Sequence, residues 1–162
     1  MSFEIKQSEK FKFVEEGEGE PLILLHGLFG ALSNFDSLIK YFRHHNKVVV
    51  PMLPLVDLDL LHTSVGGLQK FVHKFIEHRN YQNVHLLGNS LGGHVAILHV
   101  LKQPERIKCL ILTGSSGLFG NGMGDTYPKR GDYDYIKKKT ELTFYDPRIA
   151  DKELVDEVYE TV

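Results

Sequence analysis

The sequence has little cysteine, little net charge and no long apolar run, and each shortage argues against a class of protein. Its one cysteine, Cys109, cannot form a disulfide within the chain, so nothing suggests an oxidising compartment. No apolar stretch approaches the roughly 20 residues that a membrane-spanning helix needs. A formal net charge of -2 provides no electrostatic reason to expect nucleic acid or an anionic membrane as a partner.

Signals for targeting and for metal binding are also missing. Residues 1–6 lack the apolar core of a signal peptide, so we expect a cytoplasmic, soluble protein. No pair of histidines has zinc-like spacing with a third ligand, so we expect no metal and no other cofactor. Cys109 stands inside the apolar run 107–112, and we expect it to be a core residue.

Apolar runs alternate with helical patterns along most of the chain. Two amphipathic segments, 3–6 and 11–14, predict an antiparallel hairpin. Short continuous apolar runs then predict strands buried on both faces, and residues repeating at helical spacing separate them. This order predicts an α/β fold with a mostly parallel, doubly wound sheet. The predicted buried strands are 21–25, 48–50, 84–87 and 107–113, and the best-defined helices are 61–76 and 92–103.

The pattern changes after Gly117. A glycine-rich loop follows, then two polar helical patterns at 133–142 and 152–161, and we find no strand after residue 113. We therefore divide the chain into a core at 1–117 and an incomplete cap or lid segment at 118–162.

The segment Gly88-Asn89-Ser90-Leu91-Gly92 stands where a predicted strand gives way to a helix. A Gly-x-Ser-x-Gly in that place is a nucleophile elbow, a sharp turn that exposes a serine hydroxyl above the sheet. Glycines are needed two residues before and two residues after Ser90, because Cβ atoms at those positions would collide in so sharp a turn. The turn also directs the first amides of the helix at whatever binds beside Ser90.

With this elbow and the segment His26-Gly27-Leu28-Phe29-Gly30, the chain resembles the α/β-hydrolase superfamily, most closely its small esterase-type serine hydrolases with a helical cap. The resemblance implies that Ser90 is the nucleophile and attacks an ester or related acyl substrate. It also implies that Leu28 and Leu91 donate backbone N–H groups to the oxyanion. By the same resemblance, His26 and Gly27 support the loop, and His26 is not the catalytic base.

The resemblance also suggests which residues surround the substrate. Phe29, Leu118 and Phe119 would form an apolar wall for an acyl group, and Ser115 with Ser116 would form the floor of the pocket. Ordinary packing under the cap remains an equal alternative for the apolar residues.

The acid and the histidine of a serine triad have no evident place in the chain. In the family they follow Ser90 in the order Asp or Glu, then His, after strands that we do not find. The nearest histidine along the helix, His94, should lean along the helix flank instead of over the serine. We therefore expect a C-terminally truncated chain with little activity of its own, whose strand 107–113 forms an exposed edge that favours self-association.

Two other interpretations stay open. The chain could belong to a non-catalytic member of the fold that binds a ligand or a partner. It could also perform other serine chemistry on the same fold, such as thioester or carbon–carbon bond hydrolysis.

Overall fold

A mixed six-stranded sheet organises the first part of the molecule. The computed structural model describes residues 3–27, 32–55, 64–118, 131–142 and 144–161. Within these ranges the strands are β1 Lys6–Ser8, β2 Phe11–Glu16, β3 Pro21–Leu25, β4 Lys47–Pro51, β5 Val84–Asn89 and β6 Ile107–Thr113. Their order in the sheet is β1-β2-β4-β3-β5-β6. In this order the first three strands pair antiparallel, and the pairs from β4 to β6 are parallel. The predicted α/β class with a mostly parallel sheet is confirmed.

Helices cover both faces of this sheet, as a doubly wound fold requires. All five residues of β3 are buried. Because successive side chains of a strand point to opposite faces, Ile23 joins a core cluster with α2 and α3, and Leu24 joins a second cluster with α1. The helices of this unit are α1 Asp36–Phe42, α2 Val65–His78 and α3 Leu91–Lys102.

The amino-terminal hairpin is displaced from its predicted position. Its first strand is Lys6–Ser8 instead of 3–6, and Ser8 pairs directly with Phe11. The two-residue turn between them puts Glu9 at φ 51°, a positive φ that suits a tight hairpin. Phe11 and Phe13 then both face the core, and this burial sets the register.

The start of α2 also differs from the prediction. The helix begins at Val65, because the Ser64 side chain accepts a hydrogen bond from the Gly67 N–H and caps it. Residues 61–63, where the predicted helix began, lie outside the described part of the chain.

The prediction that Cys109 is a core residue is wrong. Its side chain is exposed, because β6 is the last strand of the described sheet and has only β5 beside it. Ile111 on the same strand is 37% exposed, and no residue of β6 is fully buried. The apolar run correctly predicted a strand but not its place at an edge.

The chain divides into two units, Met1–Phe119 and Gly120–Val162. The second unit contains α4 Tyr133–Glu141 and α5 Lys152–Thr161. Asp132 caps α4 by accepting from the Tyr135 N–H, and Ile136 and Val155 are buried. No helix of either unit, within the described ranges, is long and apolar enough to cross a membrane.

Candidate nucleophile site

Ser90 occupies the junction between β5 and α3. It has φ 53° and ψ -117°, a region of backbone space that is sparsely populated for a residue with a side chain and costs on the order of 1–3 kcal/mol. A non-glycine residue keeps such a conformation only where its surroundings enforce it. Strain of this kind, at the point where a parallel strand turns into a helix, is the geometry of a nucleophile elbow.

The glycines around Ser90 are sterically required. A Cβ on Gly88 would lie 2.5 Å from the Gly92 carbonyl oxygen, and a Cβ on Gly92 would lie 2.7 Å from the His26 carbonyl oxygen. A third glycine was missed by the sequence reasoning: a Cβ on Gly93 would lie 2.7 Å from the Ser115 Cβ. The doubled glycine at 92–93 was the available signal for this close packing.

His26 is buried, and both of its ring nitrogens bond to backbone groups. Its Nε2 accepts a hydrogen bond from the Leu53 N–H at 3.1 Å, so the proton is on Nδ1, which donates to the Gly27 carbonyl at 2.9 Å. The ring therefore holds the end of β3 against the segment after β4, and neither nitrogen is available as a base.

The carboxyl end of β6 holds the elbow from the other side. The Ser90 N–H donates to the Thr113 carbonyl at 3.1 Å. The Asn89 side-chain amide donates to that same carbonyl and to the Thr113 hydroxyl, each at 3.1 Å. Sequence reasoning did not assign a role to Asn89 or Thr113, because their pairing depends on the strand register that places them side by side.

The predicted pocket residues are only partly described. Ser115 lies against Gly93 and its hydroxyl donates to the Ser116 carbonyl. Leu118 is 55% exposed. Leu28, Phe29 and Phe119 lie outside the described residues. Both predicted oxyanion donors and the apolar wall stay predictions.

The histidines of the described part do not pair with Ser90. The His94 ring packs against Gly117, where a Cβ would lie 2.5 Å from the ring. His85 pairs with Glu20 at 3.0 Å, at the opposite end of β5. His99 is buried on α3, and burial above all lowers its pKa to about 4. No described carboxylate or histidine accepts a hydrogen bond from the Ser90 hydroxyl.

A model of the alpha/beta hydrolase fold family matches residues 20–144, well over half of the chain. This chain belongs to the α/β-hydrolase fold family. The match begins before β3 and extends into the second unit, so it includes both the His26-Gly27 loop and the elbow. The predicted resemblance and fold are confirmed.

Relatives of this α/β-hydrolase include proteins with lipase names. Lipase 1 of Psychrobacter immobilis is 22% identical over 99% of this chain and 60% of its own length. The sn-1-specific diacylglycerol lipase ABHD11 of Danio rerio is 30% identical over 64% of this chain and 34% of its own length. The chain thus spans about 60% or less of these curated relatives.

One solved structure has a higher sequence identity to this chain than these two relatives have. It is MGS-MChE2, an alpha/beta hydrolase enzyme from the metagenome of sediments of the Mar Chica lagoon, Morocco. It is 39% identical, with a TM-score of 0.69, and the match covers 95% of this chain and 66% of that one. Nearly all of the present chain is therefore matched by about two thirds of a longer enzyme.

Proposed function

We propose that this chain carries the nucleophile and part of the oxyanion hole of a serine hydrolase of carboxylesterase type, acting on esters or related acyl compounds. The observation that carries the proposal is the conformation of Ser90. A strained serine enclosed by Gly88 and Gly92 presents its hydroxyl at the start of a helix, where an acyl carbonyl can approach.

The helix start supplies the electrostatic part of the proposed chemistry. Leu91 is the first residue of the 12-residue α3, so its N–H has no acceptor within the helix. Attack of the Ser90 oxygen on an acyl carbon turns the carbonyl oxygen into an oxyanion, and an N–H aimed there stabilises that charge. Removing one such donor typically slows acyl transfer by about 10²–10³-fold.

The choice of ester substrates is supported by the relatives. Two curated relatives are named as lipases, and lipases hydrolyse acyl esters. A serine at the elbow fits acyl transfer, because its hydroxyl forms and releases an acyl-enzyme.

We propose further that the described residues alone turn esters over slowly. A serine hydroxyl is a weak nucleophile until an adjacent base removes its proton. Both ring nitrogens of His26 bond to backbone groups, and the His94 ring packs against Gly117. The base and its acid partner would therefore come from residues outside the described ranges.

Ester turnover tests this function. The product of the whole open reading frame, assayed on a panel of small chromogenic esters, should hydrolyse at least one, and Ser90→Ala should reduce the rate to background. Ser8→Ala is the matched control. It removes a serine hydroxyl that hydrogen-bonds His78, and Ser8 lies on β1, at the opposite edge of the described sheet from β6. No turnover on the whole panel would favour the non-catalytic, ligand-binding alternative.

A further inference from the structure

The backbone carbonyl of Ser90 is an unusually well-bonded acceptor. Inside α3 it accepts from the Gly93 N–H at 3.0 Å and the His94 N–H at 3.3 Å. It also accepts two hydrogen bonds from a single residue beyond β6: the Ser116 N–H at 3.1 Å and the Ser116 hydroxyl at 3.3 Å. Four donors therefore converge on one oxygen of the nucleophile residue.

The direction of this carbonyl determines the direction of a second group. The Ser90 C=O and the Leu91 N–H belong to the same peptide unit, which is planar and trans, so the two bonds point in opposite directions. Fixing the carbonyl with donors on one side therefore fixes where the Leu91 N–H points on the other side. That N–H is the proposed oxyanion donor.

Helix geometry alone does not hold this peptide plane. Ser90 has a strained, non-helical conformation, and relaxation of that strain would rotate the plane. Of the four donors, the two on Ser116 come from outside α3 and resist this rotation from the β6 side. The next residue, Gly117, has φ 88° and lies against α3, since a Cβ there would come within 2.5 Å of the His94 ring.

We infer that Ser116 is a positioning residue that aims the Leu91 N–H at the reacting carbonyl oxygen. This inference rests on the proposed function for its catalytic consequence, but the orientation of the peptide unit is a property of the chain itself. It assigns to Ser116 a role distinct from the pocket floor that the sequence predicted.

Two readouts on the 162-residue chain test it. Ser116→Ala removes the hydroxyl donor and keeps the N–H, so modification of Ser90 by a fluorophosphonate should slow about threefold to tenfold. Ser116→Thr keeps a hydroxyl and should restore the rate, and Ser8→Ala should leave it unchanged. The urea midpoints of Ser116→Ala and Ser8→Ala should agree, because each loses one partly exposed hydroxyl bond.

The second readout is the Leu91 amide resonance of ¹⁵N-labelled protein. Its chemical shift and hydrogen-exchange rate should change in Ser116→Ala and return to the wild-type values in Ser116→Thr. If the wild-type chain is not labelled at all, as a serine without an adjacent base would not be, the amide resonance alone decides the inference, and the proposed function is tested separately by ester turnover. An unchanged Leu91 amide in Ser116→Ala, or equal labelling rates in both Ser116 variants and the wild type, would overturn it.

Discussion

Gly27 and Ser90 lie so close together that an alanine methyl at position 27 would come within 3.1 Å of the Ser90 Cβ. The contact joins the end of β3 to the elbow, and a side chain at position 27 would require the serine to shift by a few tenths of an ångström. Gly27 and Gly88 are 61 positions apart in sequence. The His26-Gly27 loop and the Gly88–Gly92 turn nevertheless form one site.

The first prediction concerns Gly27→Ala. The added methyl must displace the Ser90 side chain by a few tenths of an ångström, because the strained backbone leaves the serine few alternatives. We expect labelling of Ser90 by a fluorophosphonate to fall by about tenfold, while the free energy of unfolding changes by less than about 1.5 kcal/mol. A labelling rate equal to that of the wild type would show that the contact does not constrain the nucleophile.

The second prediction separates folding from reactivity at the same site. In Gly92→Ala the new methyl would overlap the backbone carbonyls of Leu25, the last residue of β3, and of His26, which would lie 2.7 Å away, and backbone cannot move aside as a side chain can. We expect a loss of at least about 2 kcal/mol in the free energy of unfolding, measured by urea denaturation. Gly66→Ala, where a Cβ would meet only the Ser64 hydroxyl at 3.8 Å, is the control. Because Gly66 lies within α2, its midpoint should be equal to or higher than that of the wild type.

The third prediction concerns acid stability. His99 is almost fully buried, and its Nε2 has no hydrogen-bond partner among the described residues. Burial, with a smaller contribution from His73 and an opposing one from Glu105, lowers its pKa from 6.5 to about 4. Between these values the unfolded chain binds the proton and the folded chain does not, so stability falls as the pH drops from about 6.5 towards 4.

The loss of stability is at most roughly 3 kcal/mol, since each unit of difference between the folded and unfolded pKa corresponds to about 1.4 kcal/mol. Urea midpoints at pH 7 and pH 5 should differ for the wild type, and the difference should shrink in His99→Leu. His44→Gln, which alters an exposed histidine, should retain the full difference. An equal pH dependence in His99→Leu and the wild type would contradict the assignment to His99.

The fourth prediction concerns the edge of the sheet. Among the described strands β6 has a neighbour on one side only, so its other side presents unpaired N–H and C=O groups. We propose that two copies of this chain pair through β6, which contains one charged residue and five apolar ones. Gel filtration of the 162-residue chain should therefore show a species larger than 18.5 kDa whose share rises with concentration.

A charge on this strand should oppose the pairing. Ile111→Lys adds a second cation to a 37% exposed position of β6 and should shift the elution to the monomer. Tyr41→Lys alters a more exposed apolar side chain, 65% accessible on α1, and should leave the elution unchanged. A monomer at every concentration would refute the proposal.

The sequence predicted what depends on local pattern. The glycines at 88 and 92 and the strand-to-helix change around Ser90 are short-range signals that predicted a nucleophile elbow. The structure shows a strained Ser90 backbone between a strand and a helix, and the catalytic role of that turn stays a prediction. The continuous apolar run 21–25 predicted a strand buried on both faces, and that is confirmed. The contacts that require Gly88 act between residues close in sequence, whereas those that require Gly92 involve Leu25 and His26, which are distant in sequence.

Predictions that depend on sheet order and register were weaker. Cys109 was expected in the core because its neighbours are apolar, but the place of β6 at the edge follows from the whole strand order. The bonds from Ser116 to the Ser90 carbonyl join positions 26 residues apart. No local pattern encodes them, because they arise only when β6 lies in register beside β5.

The most direct test of the central claim is to treat the product of the whole open reading frame with an excess of a fluorophosphonate and measure intact mass and modified peptide. We predict one adduct per chain, located on Ser90, with no adduct in Ser90→Ala and an unchanged one in Ser8→Ala. An unmodified chain, or an adduct on any residue other than Ser90, would contradict the assignment of Ser90 as the nucleophile.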